Sequence, residues 1–239
     1  MSGTLYVCAT PIGHLDDVSL RLLATLREVA LICAEDTRHT QRLLARHEVH
    51  TPLTSCHQHT HPDKIHALAV RLAEGASMAL VTNAGTPGVS DPGPQLVQAA
   101  ADLGVPVVTI PGPCALAAAL SVSGLDAQRF SFLGFLPRKP GKVRKTLQEA
   151  IARGETLVIY ESPYRVVSTL AALAEIAPAV PVVVCRELTK KFEESLRGSA
   201  RDLAHDLAQR QHAEKELRGE FVIVVGAQGE GAATDTGES

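Results

Sequence analysis

The chain has no tryptophan, and its five Phe and three Tyr make it only 3 % aromatic. Stacking of bases along a single nucleic-acid strand is therefore not expected as its main grip on any partner. No apolar run approaches the roughly 20 residues that span a bilayer. The first residues, MSGTLYVCATPIG, lack both a charged leader and a long apolar stretch, which argues against a secretory signal and makes the cytoplasm the default. The five cysteines, at 8, 33, 56, 114 and 185, form no C-x-x-C pair, the dispersed pattern of reduced core thiols. Both nucleotide fingerprints are missing: no G-x-G-x-x-G follows the first apolar segment and no G-x-x-x-x-G-K-[ST] occurs. Charge of one sign is missing too. With 23 basic against 26 acidic residues, a net of −3, bulk attraction to nucleic acid is excluded, although one local basic patch is not.

What is present is an α/β rhythm in 239 residues, enough for one large domain or two small ones. Apolar runs at 5–10, 30–35, 77–83 and 105–110 alternate with segments of helical spacing at 18–30, 37–47, 65–75 and 94–104, the last two closed by Gly75 and Gly104. Repeated units of this length predict a mainly parallel sheet covered by helices on both faces. Residues 111–125 read as a helix with a glycine-marked exit, and the domain join is placed there. Beyond it, strands are expected at 129–136, 156–161, 181–188, 193–200 and 219–226. Helices are expected at 142–154, at 201–210, and from a Ser162 cap with Pro163 in the first position to about Ala177. The expected organisation is an N-terminal α/β domain over 1–118, a C-terminal α/β domain with a mixed sheet over 119–226, and a small, polar, disordered tail over 227–239.

Four joints, ATPIGH, AEDTRHT, NAGTPGVSDPG and PGPCA, follow the four N-terminal strands. In open parallel sheets ligands bind beyond the carboxyl ends of the strands. Small residues there let a ligand approach the main chain, whose N–H and C=O groups then read it. A neutral or cationic cofactor suits such joints better than a phosphate-rich one. Singly, a P-x-G or D-P-G is a plain turn; four at one end of a sheet are harder to dismiss.

Two further patterns carry alternatives. His57-x-His59-x-His61 on a strand would put three imidazoles on one face, an arrangement suited to Zn²⁺ or Ni²⁺. No Asp, Glu or Cys partner has convincing spacing, Pro62 breaks the stretch, and a polar loop is the other reading, so no metal is assigned. The segment RKPGKVRK holds Arg138, Lys139, Lys142, Arg144 and Lys145, which read as a contact for nucleic-acid phosphates or as an ordinary solvated loop.

The stretches TPIGHLDDVSLRLLATLREVALICAEDTRHTQRLL, NAGTPGVSDPG, PGPCALAAAL, FLGFLPRK, ESPYRV, RELTKKFEE and GEFVIVV occur in this order. Together, over residues 4 to 226, they resemble the tetrapyrrole-methylase superfamily of S-adenosyl-L-methionine-dependent enzymes, and within it the branch that methylates a cytidine ribose 2′-oxygen in small-subunit ribosomal RNA. The resemblance implies two α/β domains with the cofactor in the cleft between them, a homodimer, no membrane, and small ribosomal subunit RNA, in the assembled particle, as partner. It implies cofactor contacts at Pro11, Ala84, Gly85, Thr86, Val89, Ser90, Cys114 and Ala115, joined by Leu133 and by Tyr160 or Glu161. The chain departs from the pattern at Asn83, where Asp is common, at His57-Gln58-His59-Thr60, where the family has H-E-H-N, and at Cys114, where it has Ser. An acid at 58 or 83 is thus not available to any mechanism here.

Methyl transfer to a ribose hydroxyl needs a base and groups that hold phosphate or a developing alkoxide. Glu35, Asp36 and Glu161 are the candidate bases, with Arg38, Arg165, Arg186 and Lys190 as candidate cations. Each has a structural alternative: Asp36 as a helix cap, and Glu161 with Arg165 as a surface ion pair. Two other functions remain open, a methyltransferase of the same superfamily acting on a tetrapyrrole or on a modified protein histidine, and a non-catalytic RNA- or metal-binding protein on this fold.

Overall fold

The computed structural model describes residues 2–214 and 217–227, so all but the first residue of the expected tail lies outside the described residues. By its contacts the chain divides into two compact units, Met1–Cys114 and Ala115–Ser239.

The first unit runs β1 (Leu5–Cys8), α1 (Leu20–Glu28), β2 (Leu31–Ala34), α2 (Thr37–Arg46), β3 (Leu53–Ser55), α3 (Pro62–Ala73), β4 (Met78–Val81), α4 (Pro94–Asp102) and β5 (Val107–Ile110). Its sheet has the order β3-β2-β4-β1-β5, and every pairing is parallel. β2 and β4, LICA and MALV, are buried at every position, which is why they read as unbroken apolar runs rather than as alternations. On one face Leu5, Cys33 and Leu80 pack against Leu68 and Leu72 of α3 and Leu96 of α4. On the other, Cys8, Ile32 and Val81 pack against Leu22 and Leu26 of α1 and Leu44 of α2. Each fully buried Leu contributes roughly 1.5–3 kcal/mol of burial free energy. Helix starts carry local reasons. The Ser19 side chain accepts from the Leu22 N–H at 3.0 Å, and Pro94 takes the first position of α4, where a missing N–H costs nothing. β3 escaped the sequence reading because TPLTS has a single large apolar residue; it adds an edge strand against β2.

This strand order sets the site. The chain leaves β1 for α1 on one face, whereas it leaves the adjacent β4 for α4 on the opposite face. Two neighbouring strands whose connections diverge open a crevice at their carboxyl ends, the topological switch point of an open parallel sheet.

The second unit runs α5 (Ala115–Ser123), β6 (Phe130–Phe135), α6 (Pro140–Ile151), β7 (Thr156–Glu161), α7 (Val166–Ile176), β8 (Pro181–Arg186), β9 (Glu194–Ser199), α8 (Ala200–Glu214) and β10 (Phe221–Val225). Its sheet, β6-β7-β10-β8-β9, is mixed: β6 and β7 are parallel and the other pairings antiparallel. Leu147, Leu157, Ile159, Leu170, Val184 and Ile223 form its core. The expected join at 118/119 lies inside α5, which packs on β10, and the division by contacts comes just before that helix. α7 starts later than expected, at Val166 rather than Pro163: residues 163–165 form a turn in which the N–H groups of Arg165 and Val166 both donate to the Ser162 carbonyl. Among the described residues no helix is long and apolar enough to cross a membrane.

Candidate active site

Three joints of the first unit converge at the switch point. Thr10, after β1, and Gly85, after β4, exchange main-chain hydrogen bonds in an isolated antiparallel bridge, N–H to O at 2.9 and 3.0 Å. The Thr10 hydroxyl donates to the Thr82 carbonyl at 3.1 Å, and the Thr86 hydroxyl donates to the Pro113 carbonyl of the joint after β5 at 3.2 Å. Gly85 has φ +82°, and a Cβ on it would stand 3.4 Å from Ile12 Cγ2 and 3.6 Å from the Pro113 carbonyl. The glycine therefore supplies a left-handed conformation and leaves its pro-side-chain direction open between the joints. Pro11 is buried beside this bridge, Ala84, Thr86, Val89 and Cys114 are half-buried, and Ser90 is exposed with φ 62°. Ala115, the first residue of α5, belongs to the second unit. Thr10 and Ile12 were missed as members of this cluster; the ATPIGH joint was the signal, but only a proline in it was singled out.

The same joint carries the marks of a ligand site. Asn83 Oδ1 and Thr82 Oγ1 are buried without a hydrogen-bond partner among the described residues, and buried polar atoms in native proteins are ordinarily paired. Thr86, Pro87 and Gly88 of this joint, with Val7, Leu80 and Thr109, line a largely apolar cavity of about 500 Å³, within the size range of small-molecule sites. A joint that holds unpaired buried polar atoms and a permissive glycine, and that also lines an apolar cavity, fits a compact amphipathic ligand carrying no phosphate, and so fits S-adenosylmethionine.

Among the acids, Glu35 directly follows β2, and its Oε2 accepts from the Asn83 N–H at 3.1 Å, tying the joint after β2 to the joint after β4. Asp36 is the N-cap of α2: its Oδ1 accepts from the N–H groups of Arg38 at 2.8 Å and His39 at 3.3 Å, and those bonds hold its carboxyl below the usual carboxylate range. The capping alternative thus describes Asp36, and Arg38 projects from the helix into solvent.

In the second unit Glu161 is not at the surface. The residue is 2 % exposed; Oε1 accepts from the Ser162 N–H at 2.9 Å, Oε2 accepts from the Thr169 hydroxyl at 2.8 Å, and Arg165 Nη2 lies 3.6 Å away. Arg165 also donates to the Leu136 and Pro137 carbonyls at 3.0 and 2.8 Å, so the pair forms a bracket that holds the end of β6 to the end of β7. The surface-pair expectation is corrected: two strand ends bury this acid. Tyr160 accepts at its hydroxyl from the Leu116 N–H at 2.9 Å, and Leu133, at a bulge in β6, packs on the hydrophobic core.

The basic candidates separate into two groups. Arg144 pairs with Glu175 and Lys145 lies 3.8 Å from Glu149. Arg186 donates to the Arg218 carbonyl at 2.8 Å and pairs with Glu194, and Lys190 Nζ meets Glu187 at 2.8 Å and Glu220 at 3.1 Å. Arg138, Lys139 and Lys142 are exposed and have no carboxylate within 4.0 Å among the described residues. The histidines lie in a turn at 57–60 rather than on a strand. His57 Nδ1 accepts from the His59 N–H, and His61 caps α3. Among the described residues no three His, Cys, Asp or Glu side chains gather as a metal site.

Comparisons with known proteins place this geometry. The model of the Tetrapyrrole (Corrin/Porphyrin) Methylases matches residues 4–204. A protein of Xylella fastidiosa named ribosomal RNA small subunit methyltransferase I is 47 % identical over 98 % of this chain and 85 % of its own length. One of the same name from Bacillus subtilis is 42 % identical over 93 % of this chain and 75 % of its own. Among solved structures, the methyltransferase CobJ superimposes with a TM-score of 0.68 at 22 % identity, covering 95 % of each chain. The uroporphyrin-III C-methyl transferase of Thermus thermophilus, complexed with S-adenyl homocysteine, gives 0.64 at 21 % identity over 94 % of this chain and 97 % of its own. With a matching family model across most of its length and relatives above 40 % identity, the chain belongs to the tetrapyrrole methylase family.

Proposed function

We propose that this chain is an S-adenosylmethionine-dependent methyltransferase acting on a cytidine ribose 2′-hydroxyl of small-subunit ribosomal RNA. The observation that carries the reading is the convergence of the joints after β1, β4 and β5 on Gly85, in a chain 42–47 % identical to relatives named for ribosomal RNA methylation. Bound there, S-adenosylmethionine supplies a methyl group made electrophilic by the sulfonium. Main-chain groups of 84–86 and 113–115, with Pro11, Val89 and Ser90 beside them, hold it without the charge that a phosphate-binding loop carries. Aligning the hydroxyl oxygen with the methyl carbon is worth up to about 7–11 kcal/mol of barrier. The hydroxyl proton needs an acceptor. Glu161 has both carboxylate oxygens hydrogen-bonded, whereas Glu35 Oε1 and Asp36 Oδ2 have no hydrogen bond among the described residues. The cap bonds that lower the Asp36 carboxyl make it the weaker base, which leaves Glu35. Of the candidate cations, Arg38, Arg138, Lys139 and Lys142 have no carboxylate partner among the described residues, and the last three form one cluster available to RNA phosphates. The oligomer is proposed as a homodimer, and the cytoplasm as its compartment, on the family resemblance alone.

Glu35→Gln keeps an acceptor for the Asn83 N–H but no basic oxygen. The expected result is donor affinity within about threefold of the parent and a kcat lower by about 10²–10⁴; an unchanged kcat would assign Glu35 to structure. A thiol titration tests the PGPCA joint. Burial pushes the Cys8 and Cys33 thiols up to about 12 and raises those of Cys56 and Cys185, while Cys114 is half-buried. One thiol should react rapidly in the native protein, and saturating donor should slow it; several fast thiols, or no protection, would count against the placement. The function itself is tested with tritiated donor and either assembled small ribosomal subunits or a tetrapyrrole precursor. Label in the tetrapyrrole and none in RNA would reverse the assignment.

A further inference from the structure

Few as the aromatics are, half of them face solvent, all in the second unit: Phe130 is 42 %, Phe135 60 %, Tyr164 75 % and Phe192 69 % exposed. Two of these stand at one place. β6 and β7 are parallel neighbours with Phe135 paired to Tyr160, so their carboxyl ends lie side by side. Phe135 is the last residue of β6, and Tyr164 lies in the turn that follows β7. The buried Glu161–Arg165 bracket fastens that turn to Leu136 and Pro137. The Phe135 ring is held on one side by an edge contact with Tyr160, centroids 5.9 Å apart, and is open on the other. Three cations without a carboxylate partner among the described residues, Arg138, Lys139 and Lys142, follow within seven residues of Phe135.

A packed ring at Phe135 and an exposed one at Tyr164, on the same strand end and beside unneutralised cations, match a ligand that offers flat apolar faces and regularly spaced negative charge. An unstacked RNA strand offers both, whereas a duplex hides its base faces and an apolar peptide has no use for the cations. We propose that Phe135 and Tyr164 form a stacking platform for nucleobases of a single-stranded segment, with Arg138, Lys139 and Lys142 on its phosphates, and that Arg165 is the positioning residue that holds the two rings at one strand end. This deepens the proposed function and rests on it: a single-stranded target segment presents splayed bases together with its ribose hydroxyls, and those bases need a surface.

The test uses the full chain and a 12-nucleotide single-stranded RNA carrying 2-aminopurine, whose fluorescence falls on stacking. Phe135→Ala and Tyr164→Ala should each weaken binding about tenfold and remove the quench. Phe135→Trp should restore both, while donor affinity and sedimentation mass stay at parental values. On small ribosomal subunits the alanine variants should raise KM and leave kcat within twofold. Arg165→Ala should reproduce the loss of quench. Parental binding in both alanine variants, or Phe135→Leu binding as well as Phe135, would overturn the platform, the second result pointing to a protein partner. A changed sedimentation mass would overturn it in favour of a contact between copies. If the parent labels small subunits and the variants share its KM, the platform fails and the proposed function stands. If the parent labels no RNA, both fall.

Discussion

Gly85→Val is expected to weaken S-adenosylmethionine binding by about a hundredfold, ~2.7 kcal/mol, while the protein still folds. Val carries two methyl groups into the gap where even a bare Cβ stands 3.4 Å from Ile12 Cγ2 and 3.6 Å from the Pro113 carbonyl. It also forces a β-branched residue to φ +82°, a strain on the order of 1–3 kcal/mol. The strain alone would only destabilise; the bulk additionally pries apart the joints that hold the donor. Gly85→Ala separates the two, with much of the backbone cost and less of the obstruction, so its binding loss should be distinctly smaller at a similar drop in melting temperature. Calorimetry and thermal unfolding on the two variants read both quantities. Parental donor affinity in Gly85→Val would refute the placement of the joint.

Glu161→Ala should cost about 3 kcal/mol of stability, the lower end of what is lost when one partner of a buried ion pair is removed, because Arg165 keeps partial contact with water. The variant leaves the Thr169 hydroxyl and the Ser162 N–H without their acceptor and Arg165 without its counter-charge. Glu161→Gln keeps neutral acceptor capacity and should lose about half as much. In urea titrations the midpoint should fall in the order parent, Gln, Ala, and kcat per folded molecule should change less than tenfold in Glu161→Gln. A fully stable Glu161→Gln that binds donor and RNA normally but transfers no methyl would make this acid the base and displace Glu35.

The alternation of apolar runs and leucine-spaced segments made the parallel sheet of the first unit legible, because β2 and β4 are buried on both sides and have no other way to read. The mixed sheet of the second was legible less through periodicity than through family resemblance. The strand order, and with it the switch point, was not legible: nothing in LYVC or MALV says that they are neighbours whose connections leave on opposite faces. The glycine-rich joint declared itself through Gly85, Thr86 and Pro87, since a mere turn has no need of so many permissive residues. Its Thr10 partner did not, because a main-chain bridge leaves no trace in side-chain chemistry. Glu161 and Arg165 were visible as a pair but not as a buried one, since a spacing of four is the same in water and in a core. Phe135 and Tyr164 were hidden by composition, because a low aromatic fraction describes the total and not where the rings stand.

Hydrogen–deuterium exchange of the full chain with and without saturating S-adenosylhomocysteine measures the main-chain grip at the switch point without any substitution. Slowed exchange concentrated in peptides covering residues 9–13, 82–90 and 111–116 is the predicted result. Full occupancy of the ligand with exchange in those three joints unchanged would contradict it.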